Sequence, residues 1–106
     1  MATETGASGI WAGFNVHLAA DMLLEAAALT TQINGQVIPS TLPGNLSMAV
    51  RQPAGVVLGI APWNAPVILG VRAIATPLAC GNTVGLKGSE ISPATHGLII
   101  EALQEA

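Results

Sequence analysis

The segment GIAPWNAPVILG, residues 59–70, places one amide side chain inside an apolar run. Asn64 stands between Pro62 and Pro66, whose rings restrict the backbone on both sides of it. A side-chain amide held in this way can donate to an oxygen on which negative charge develops during a reaction. Asparagine is also well suited to cap the helix that follows. From the residues alone, both roles remain open.

A second polar pair follows the apolar segment TVGL. Lys87 ends that segment, and Glu90 lies three residues further on. In a loop such a pair is often only a solvated acid and base. In open parallel sheets, however, ligands bind just beyond the carboxyl ends of the strands. If TVGL is such a strand, Lys87 and Glu90 are candidates for binding a ligand.

Hydrophobic periodicity predicts the elements that position these residues. A helix is predicted over about residues 9–30, because apolar residues recur there at steps of three and four. Its expected apolar face consists of Phe14, Leu18, Met22, Ala26 and Leu29. Residues 31–51 carry two short alternating segments around the turn LPGN, which predicts a β-hairpin.

The second half of the chain alternates strands and helices. GVVLGI and TVGLK are short apolar runs typical of strands covered on both faces. The helix between them is predicted over 67–79 with Gly81 as its C-terminal cap, and the last helix opens at Ser92-Pro93 with serine as N-cap. Strands joined by a helix lie parallel. The fold class is therefore α/β, with a partial doubly wound, Rossmann-like parallel sheet and a hairpin.

Composition excludes several function classes. Net charge is −3 with three basic residues, which leaves no basic patch for nucleic acid. One cysteine and two distant histidines offer no metal-ligand spacing, so no metal site is expected. Residues 54–71 carry no charge over a length that could span a bilayer. Pro62, Asn64 and Pro66 inside that run argue against a membrane span. The opening MATETGASG lacks a signal-peptide pattern, so a cytoplasmic location is expected.

Three motifs together identify a family. PWN, PLACGNTV and LKGSE, in this order and spacing, resemble the NAD(P)-dependent aldehyde dehydrogenase superfamily. Within it, WAGFNV and VRQPAGVVLGIAPWNAPVILGVRAIATPLACGN resemble most the bacterial salicylaldehyde dehydrogenases. The resemblance covers essentially the whole chain. It implies NAD-dependent oxidation of a small aromatic aldehyde to the carboxylic acid.

The resemblance also implies roles for individual residues. Asn64 matches the asparagine that donates to the oxygen of the thiohemiacetal formed on the family's catalytic cysteine. Lys87 matches the lysine that contacts the adenosine ribose, and Glu90 the acid that binds a ribose hydroxyl. An acid there disfavours a 2′-phosphate, so NAD is expected rather than NADP. The expected cofactor wall is Ile60, Ala61, Pro62 and Trp63.

Two further residues are expected to line the aromatic aldehyde pocket by the same resemblance, Trp11 and Arg72. Arg72 is the only charge in an apolar helix, which is costly unless it faces a cleft or a partner. A snorkelling Arg72 and a core Trp11 are the plainer alternatives. Cys80 in PLACGN is expected to be a buried, inert cysteine, and the histidines are given no role.

Three parts of the chain are distinguished. Residues 1–30 are a helical lead-in, 31–53 resemble the family's oligomerisation arm, and 54–106 form a strand–helix–strand–helix unit of the cofactor domain. A homo-oligomeric parent is implied. The family's general-base and cysteine segments do not occur in this sequence. We therefore expect an internal fragment of the N-terminal half, inactive alone. The alternatives are a non-catalytic interaction element or a gene relic.

Overall fold

The structure is a computed structural model that describes residues 1–106. Its elements occur in the following order: helix α1 (Ala2–Thr5), helix α2 (Gly9–Leu29), a single 3₁₀ turn (Thr30–Gln32), strands β1 (Gln36–Ile38), β2 (Ser47–Ala49) and β3 (Val56–Ile60), helix α3 (Pro66–Ala79), strand β4 (Thr83–Lys87) and helix α4 (Pro93–Glu105).

Two separate two-stranded sheets form. β1 and β2 pair antiparallel as a hairpin, with Val37 opposite Met48. β3 and β4 pair parallel, in a register that runs from Val56 opposite Thr83 to Ile60 opposite Lys87. α3 connects the two parallel strands and packs on them. The predicted α/β fold is confirmed.

The helices enclose a small core. α3 packs against α2, α4 and the β3–β4 pair. The buried cluster consists of Ala19, Ala26, Val71, Ile74, Ala75 and Ile99. Gly81 ends α3 as predicted, with a left-handed φ of 78°. Its amide donates to Leu78 and that of Asn82 to Pro77, the paired bonds of a Schellman motif.

The parallel strands are covered on one face only, contrary to the prediction of strands buried on both faces. Val56, Leu58 and Ile60 alternate along β3 and are 84%, 69% and 67% exposed. The opposite face of the pair packs on α3. A continuous apolar run indicates that a strand can be buried on both faces. Burial of the second face also requires another helix or sheet to pack on it, and none does so in this chain.

The inward face of α2 also differs from the predicted stripe. Ala26 is buried as predicted, but Phe14 and Leu29 are half exposed, and Asn15 and Ala19 are buried in their place. Small side chains face inward because α2 lies directly against α3, where large ones would hold the helices apart. Cys80 is exposed at the C-terminal end of α3, so the expectation of a buried cysteine is wrong.

Helix α4 is capped from the other end of the chain. Ser92 occupies the predicted N-cap position, but its buried hydroxyl makes no hydrogen bond. Instead, the Glu4 carboxylate accepts from the amides of Ala94 and Thr95, both at 2.8 Å, and from the Thr95 hydroxyl. These bonds lower the pKa of Glu4, with the Thr95 hydroxyl as the largest cause. A carboxylate at a helix N-terminus also interacts favourably with the helix dipole.

The hairpin lies apart from this helical core. The chain measures 64 × 24 × 22 Å, and its radius of gyration is 18.1 Å. A compact domain of about 100 residues has a radius near 13 Å, so the chain is elongated. No helix combines the length and apolar character needed to cross a membrane. The 54–71 run instead divides into β3, a loop and the start of α3.

Candidate functional site

The parallel pair brings the two candidate loops to one edge of the sheet. Ile60 and Lys87 are cross-strand partners at the carboxyl ends of β3 and β4. One residue beyond the ladder, the Ala61 amide donates to the Lys87 carbonyl at 3.1 Å. The loop with Asn64 therefore leaves the sheet beside the loop with Lys87 and Glu90. This is the edge at which ligands of parallel sheets bind.

Asn64 is exposed in the loop between β3 and α3. Helix α3 begins at Pro66 with Ala65 in the N-cap position, and no side chain caps it. The capping alternative for Asn64 is therefore not realised in the structure. Its side-chain amide is left available to a ligand.

Trp11 connects α2 to this loop. Its indole Nε1–H donates to the backbone carbonyl of Asn64 at 3.3 Å, across 53 positions of sequence. The indole also stacks on Phe14, with ring centroids 5.5 Å apart. Trp11 is 41% and Phe14 50% exposed, so the stack lies at the surface beside the loop. The alternative of a core Trp11 does not hold.

Phe14 was expected on the core face of α2, but it is half exposed and stacks on Trp11 instead. The chain contains three aromatic residues, and the third is Trp63, the neighbour of Asn64. Trp63 is 49% exposed. Of the three, Trp63 belongs to this loop, Trp11 is hydrogen-bonded to it, and Phe14 stacks on Trp11.

Lys87 and Glu90 form an ion pair, with Nζ and Oε1 2.6 Å apart. The side chains are 52% and 82% exposed, so solvent weakens the pair and both groups are accessible to a ligand. The Lys87 hydrogen bond is the main reason why the pKa of Glu90 lies below its ordinary value. Glu90 is therefore a carboxylate near neutral pH, able to accept hydrogen bonds from hydroxyl groups.

A cavity of about 400 Å³ opens beside this pair. It lies between the end of β4 and the first turns of α4, and its lining includes Gly88, Ser89, Glu90 and His96. The Glu90 carboxylate in this lining can accept hydrogen bonds from hydroxyl groups, a chemistry that fits a ribose. Of the expected cofactor wall, Ile60, Pro62 and Trp63 are exposed. Ala61 is only 3% exposed, so its methyl group is not accessible to a ligand.

Arg72 makes no polar contact with these groups. It is exposed on α3, and no hydrogen bond or ion pair joins it to Trp11 or Asn64. The structure therefore brings Trp11 together with Asn64, and Lys87 with Glu90, but it does not connect Arg72 to either pair. Its place in an aldehyde pocket stays a prediction.

Two buried polar residues beside the site were missed from the sequence. Asn15 is fully buried, and its Nδ2 donates to the Trp11 carbonyl at 3.1 Å. His96 is 4% exposed, and its Nδ1 accepts from the Ser89 amide at 3.2 Å. Asn15 could have been found from the sequence as an amide side chain one helical turn after Trp11. His96 could have been found as a histidine one turn after the predicted helix start at Ser92-Pro93.

A second cavity, of about 460 Å³, is a groove between α2, α3 and α4. Its lining is apolar except for Thr95 and includes Leu23, Val71 and Leu98. It contains neither Asn64 nor the Lys87–Glu90 pair. No group of three or more metal-ligating side chains occurs in the structure.

Comparison with known proteins gives one family. The model of the aldehyde dehydrogenase family matches residues 1–106. Vanillin dehydrogenase from Pseudomonas sp. strain HR199 is 73% identical over 105 residues, which are 99% of this chain and 22% of that protein.

Two solved structures have the same fold. The crystal structure of a salicylaldehyde dehydrogenase from Pseudomonas putida G7 complexed with salicylaldehyde has a TM-score of 0.94 at 58% identity, covering 98% of this chain and 22% of that one. An NAD-dependent benzaldehyde dehydrogenase from Corynebacterium glutamicum has a TM-score of 0.88 at 34% identity, covering 96% and 22%. The chain thus spans about a fifth of the length of the proteins it matches.

Proposed function

The chain belongs to the aldehyde dehydrogenase family, and we propose that it acts as the segment of an NAD-dependent dehydrogenase that binds the cofactor ribose and activates an aromatic aldehyde. The product of that enzyme is the carboxylic acid. The chain has no cysteine nucleophile or general-base segment of the family, so we expect no aldehyde oxidation by these 106 residues alone.

One observation carries the proposal. The Asn64 side chain is exposed and caps no helix, while its backbone carbonyl is fixed by Trp11 from α2. A donor that stabilises developing charge must be oriented before the reaction begins, because reorienting it during the reaction would cost free energy. The proline-flanked loop and the indole bond supply that orientation. Asn64 then donates to the aldehyde oxygen as negative charge builds on it.

Lys87 and Glu90 are proposed to hold the nucleotide. Glu90 accepts from a ribose hydroxyl, and Lys87, at 2.6 Å from it, keeps the carboxylate charged and oriented. A 2′-phosphate would bring a second negative charge next to Glu90, which favours NAD over NADP. NAD, when bound, accepts the hydride. Ile60, Pro62 and Trp63 flank the same edge and would form part of its binding surface.

The proposed substrate is an aromatic aldehyde. The relatives are named for vanillin, salicylaldehyde and benzaldehyde. In this chain the Trp11–Phe14 stack presents two half-exposed ring surfaces beside Asn64. An aromatic ring gains from stacked or edge contacts with such surfaces beyond simple burial. Arg72 is the proposed partner for a ring oxygen, since a guanidinium can stack on a ring and donate to oxygen at once.

A hybrid dehydrogenase tests the proposal. Residues 1–106 replace the matching segment of the Pseudomonas strain HR199 vanillin dehydrogenase, so that the relative supplies the nucleophile and base. We expect the hybrid to reduce NAD with vanillin or salicylaldehyde as substrate. Asn64→Ala in the hybrid should lower kcat by about 10²–10³, the usual effect of losing such a donor. Asn45→Ala, at an exposed hairpin turn, is the matched control and should leave kcat unchanged.

Two results would contradict the proposal. The first is a folded hybrid that oxidises no aromatic aldehyde. The second is an Asn64→Ala hybrid as active as the Asn45→Ala control. If such an inactive hybrid still binds NAD, the proposed role in aldehyde oxidation is wrong, whereas the proposed role in nucleotide binding is not contradicted.

A non-catalytic interaction element is the second candidate function, and the hairpin is the observation that favours it. Every residue of β1 is exposed, and Val37 and Met48 of the hairpin are 70% and 57% exposed. Exposed strands of this kind can pair with a strand of another subunit. Sedimentation of the chain mixed with a full-length relative tests it. A mixed species of higher mass supports docking, and separate boundaries contradict it.

A further inference from the structure

His96 lies under the loop that carries the Lys87–Glu90 pair. It belongs to α4, but its ring is buried and reaches back to residues 88–89. The Ser89 amide donates to its Nδ1 at 3.2 Å. Ser89 is the residue before Glu90, so this bond fixes the backbone next to the proposed ribose acceptor.

Two glycines make room for the ring. A Cβ at Gly88 would lie 3.0 Å from Nδ1 of His96, and a Cβ at Gly70 would lie 3.1 Å from its Cδ2. Neither glycine has a positive φ, so neither is required by backbone conformation. Their shared feature is contact with His96. The imidazole ring accounts for all the close contacts at Gly88, and together with Cδ1 of Ile99 it accounts for those at Gly70.

The ring accepts the Ser89 bond in its neutral form. Nδ1 carries no proton when it accepts, so the ring proton is on Nε2. Burial lowers the pKa of His96, while the Pro66 carbonyl and the charge of Glu4 oppose this effect. The neutral form consequently predominates near pH 7, where Nδ1 remains an acceptor.

We propose that His96 is a positioning residue for nucleotide binding, which anchors the Gly88–Glu90 loop through Ser89 so that Lys87 and Glu90 face the ribose. The inference rests on the proposed function of that pair. His96 is 4% exposed and contributes to the lining of the cavity beside Glu90, but we assign it no hydrogen bond to the nucleotide. It acts through the loop, so its loss should weaken NAD binding without slowing the chemical step.

Two substitutions in the hybrid dehydrogenase separate the hydrogen bond from the bulk of the ring. His96→Leu keeps an apolar side chain of similar reach but leaves the Ser89 amide without an acceptor. His96→Asn places Oδ1 about where Nδ1 was and retains an acceptor. Gln104→Ala is the control on the same helix, because Gln104 is exposed and lines neither cavity.

We expect His96→Leu to raise the Kd and the KM for NAD by about 5- to 150-fold, the range for a buried amide left without its partner. Its kcat at saturating NAD should stay within about twofold of the hybrid's. His96→Asn should recover most of the loss in NAD affinity, and Gln104→Ala should match the unsubstituted hybrid. Calorimetric titration with NAD gives the Kd without any need for turnover.

Equal NAD affinity in the Leu variant and the unsubstituted hybrid would overturn the proposal. So would equal losses in the Leu and Asn variants, or a fall in kcat with unchanged KM. If the hybrid binds NAD but oxidises no aldehyde, the proposed aldehyde chemistry fails while the Kd series still decides the role of His96. A hybrid that binds no NAD overturns both. NMR of the 106-residue chain adds a direct check, since Nδ1 of His96 should show the shift of an unprotonated acceptor coupled to the Ser89 amide.

Discussion

Gly70→Ala tests how closely α3 and α4 approach. Gly70 is buried in α3, and an added Cβ would lie 2.8 Å from Cδ1 of Ile99 and 3.1 Å from Cδ2 of His96. The first contact involves the end of a flexible side chain. The second involves a ring that is held by the Ser89 amide and cannot turn away without losing that bond.

Two effects of opposite sign determine the change in the free energy of unfolding. Alanine is favoured over glycine inside a helix by about 0.8–1.0 kcal/mol. Adding a methyl group to a filled core costs about 1–3 kcal/mol. We expect the second effect to exceed the first, so Gly70→Ala should destabilise the chain by up to about 2 kcal/mol. Gly97→Ala in α4 meets no atom within 4 Å and should stabilise it by about 1 kcal/mol.

Urea unfolding followed by circular dichroism measures both variants. With a slope of about 1–2 kcal/mol per molar urea, the two midpoints should lie on the order of 1 M apart. Ile99→Val, which removes the Cδ1 atom, provides the internal check. By itself, Ile99→Val should lower the free energy of unfolding by about 0.5–1.5 kcal/mol. When Gly70→Ala is already present, adding Ile99→Val should lower it by clearly less, because the clash with Cδ1 is removed.

Equal stabilisation by Gly70→Ala and Gly97→Ala would refute the close approach of the two helices at this point. Strict additivity of Gly70→Ala and Ile99→Val would refute the contact with Cδ1 in particular. Both outcomes would also weaken the explanation of Gly70 as room for His96.

Three further predictions concern the charged residues. Glu4→Gln should lower the melting temperature at pH 7. Because the folded pKa of Glu4 is depressed, its contribution to stability is complete above the ordinary value of 4.5 and is lost as the pH falls through the lower folded value. The melting temperatures of the variant and the unsubstituted chain should therefore converge in acid. Glu90→Gln in the hybrid should reduce kcat/KM for NAD while improving the relative use of NADP, and an unchanged ratio would contradict the ribose role. Arg72→Ala should reduce kcat/KM for salicylaldehyde more than for a short aliphatic aldehyde, whereas equal losses would exclude a pocket role.

Local sequence patterns were sufficient to predict the main elements. Short apolar runs and helical spacing located β3, α3 and β4, and the Ser92-Pro93 signal located the start of α4, all within a residue or two. These signals are local, because turn chemistry and side-chain direction depend on neighbouring residues. The end of α3 shows this, since glycine at position 81 is readily placed in the left-handed conformation that a Schellman motif requires.

Burial was predicted less well. A strand of apolar residues was expected to be covered on both faces, and the α2 stripe was expected to place Phe14 in the core. Whether an apolar face is covered depends on which elements pack there, and this information is not contained in the period of one segment. Likewise, serine at position 92 is a good N-cap by type, yet a carboxylate from α1 caps the helix.

The sequence by itself determined the order of elements, the parallel pair and the motifs that carry the family resemblance, because each of these depends on short stretches of chain. Only the tertiary structure decided the partners of the site. Trp11 donates a hydrogen bond to the carbonyl of Asn64, 53 positions away in sequence. Glu4 accepts one from the amide of Thr95, 91 positions away. The buried ring of His96 lies between two glycines of other segments. Such contacts follow from how helices pack on the sheet, and packing joins residues that no local pattern relates.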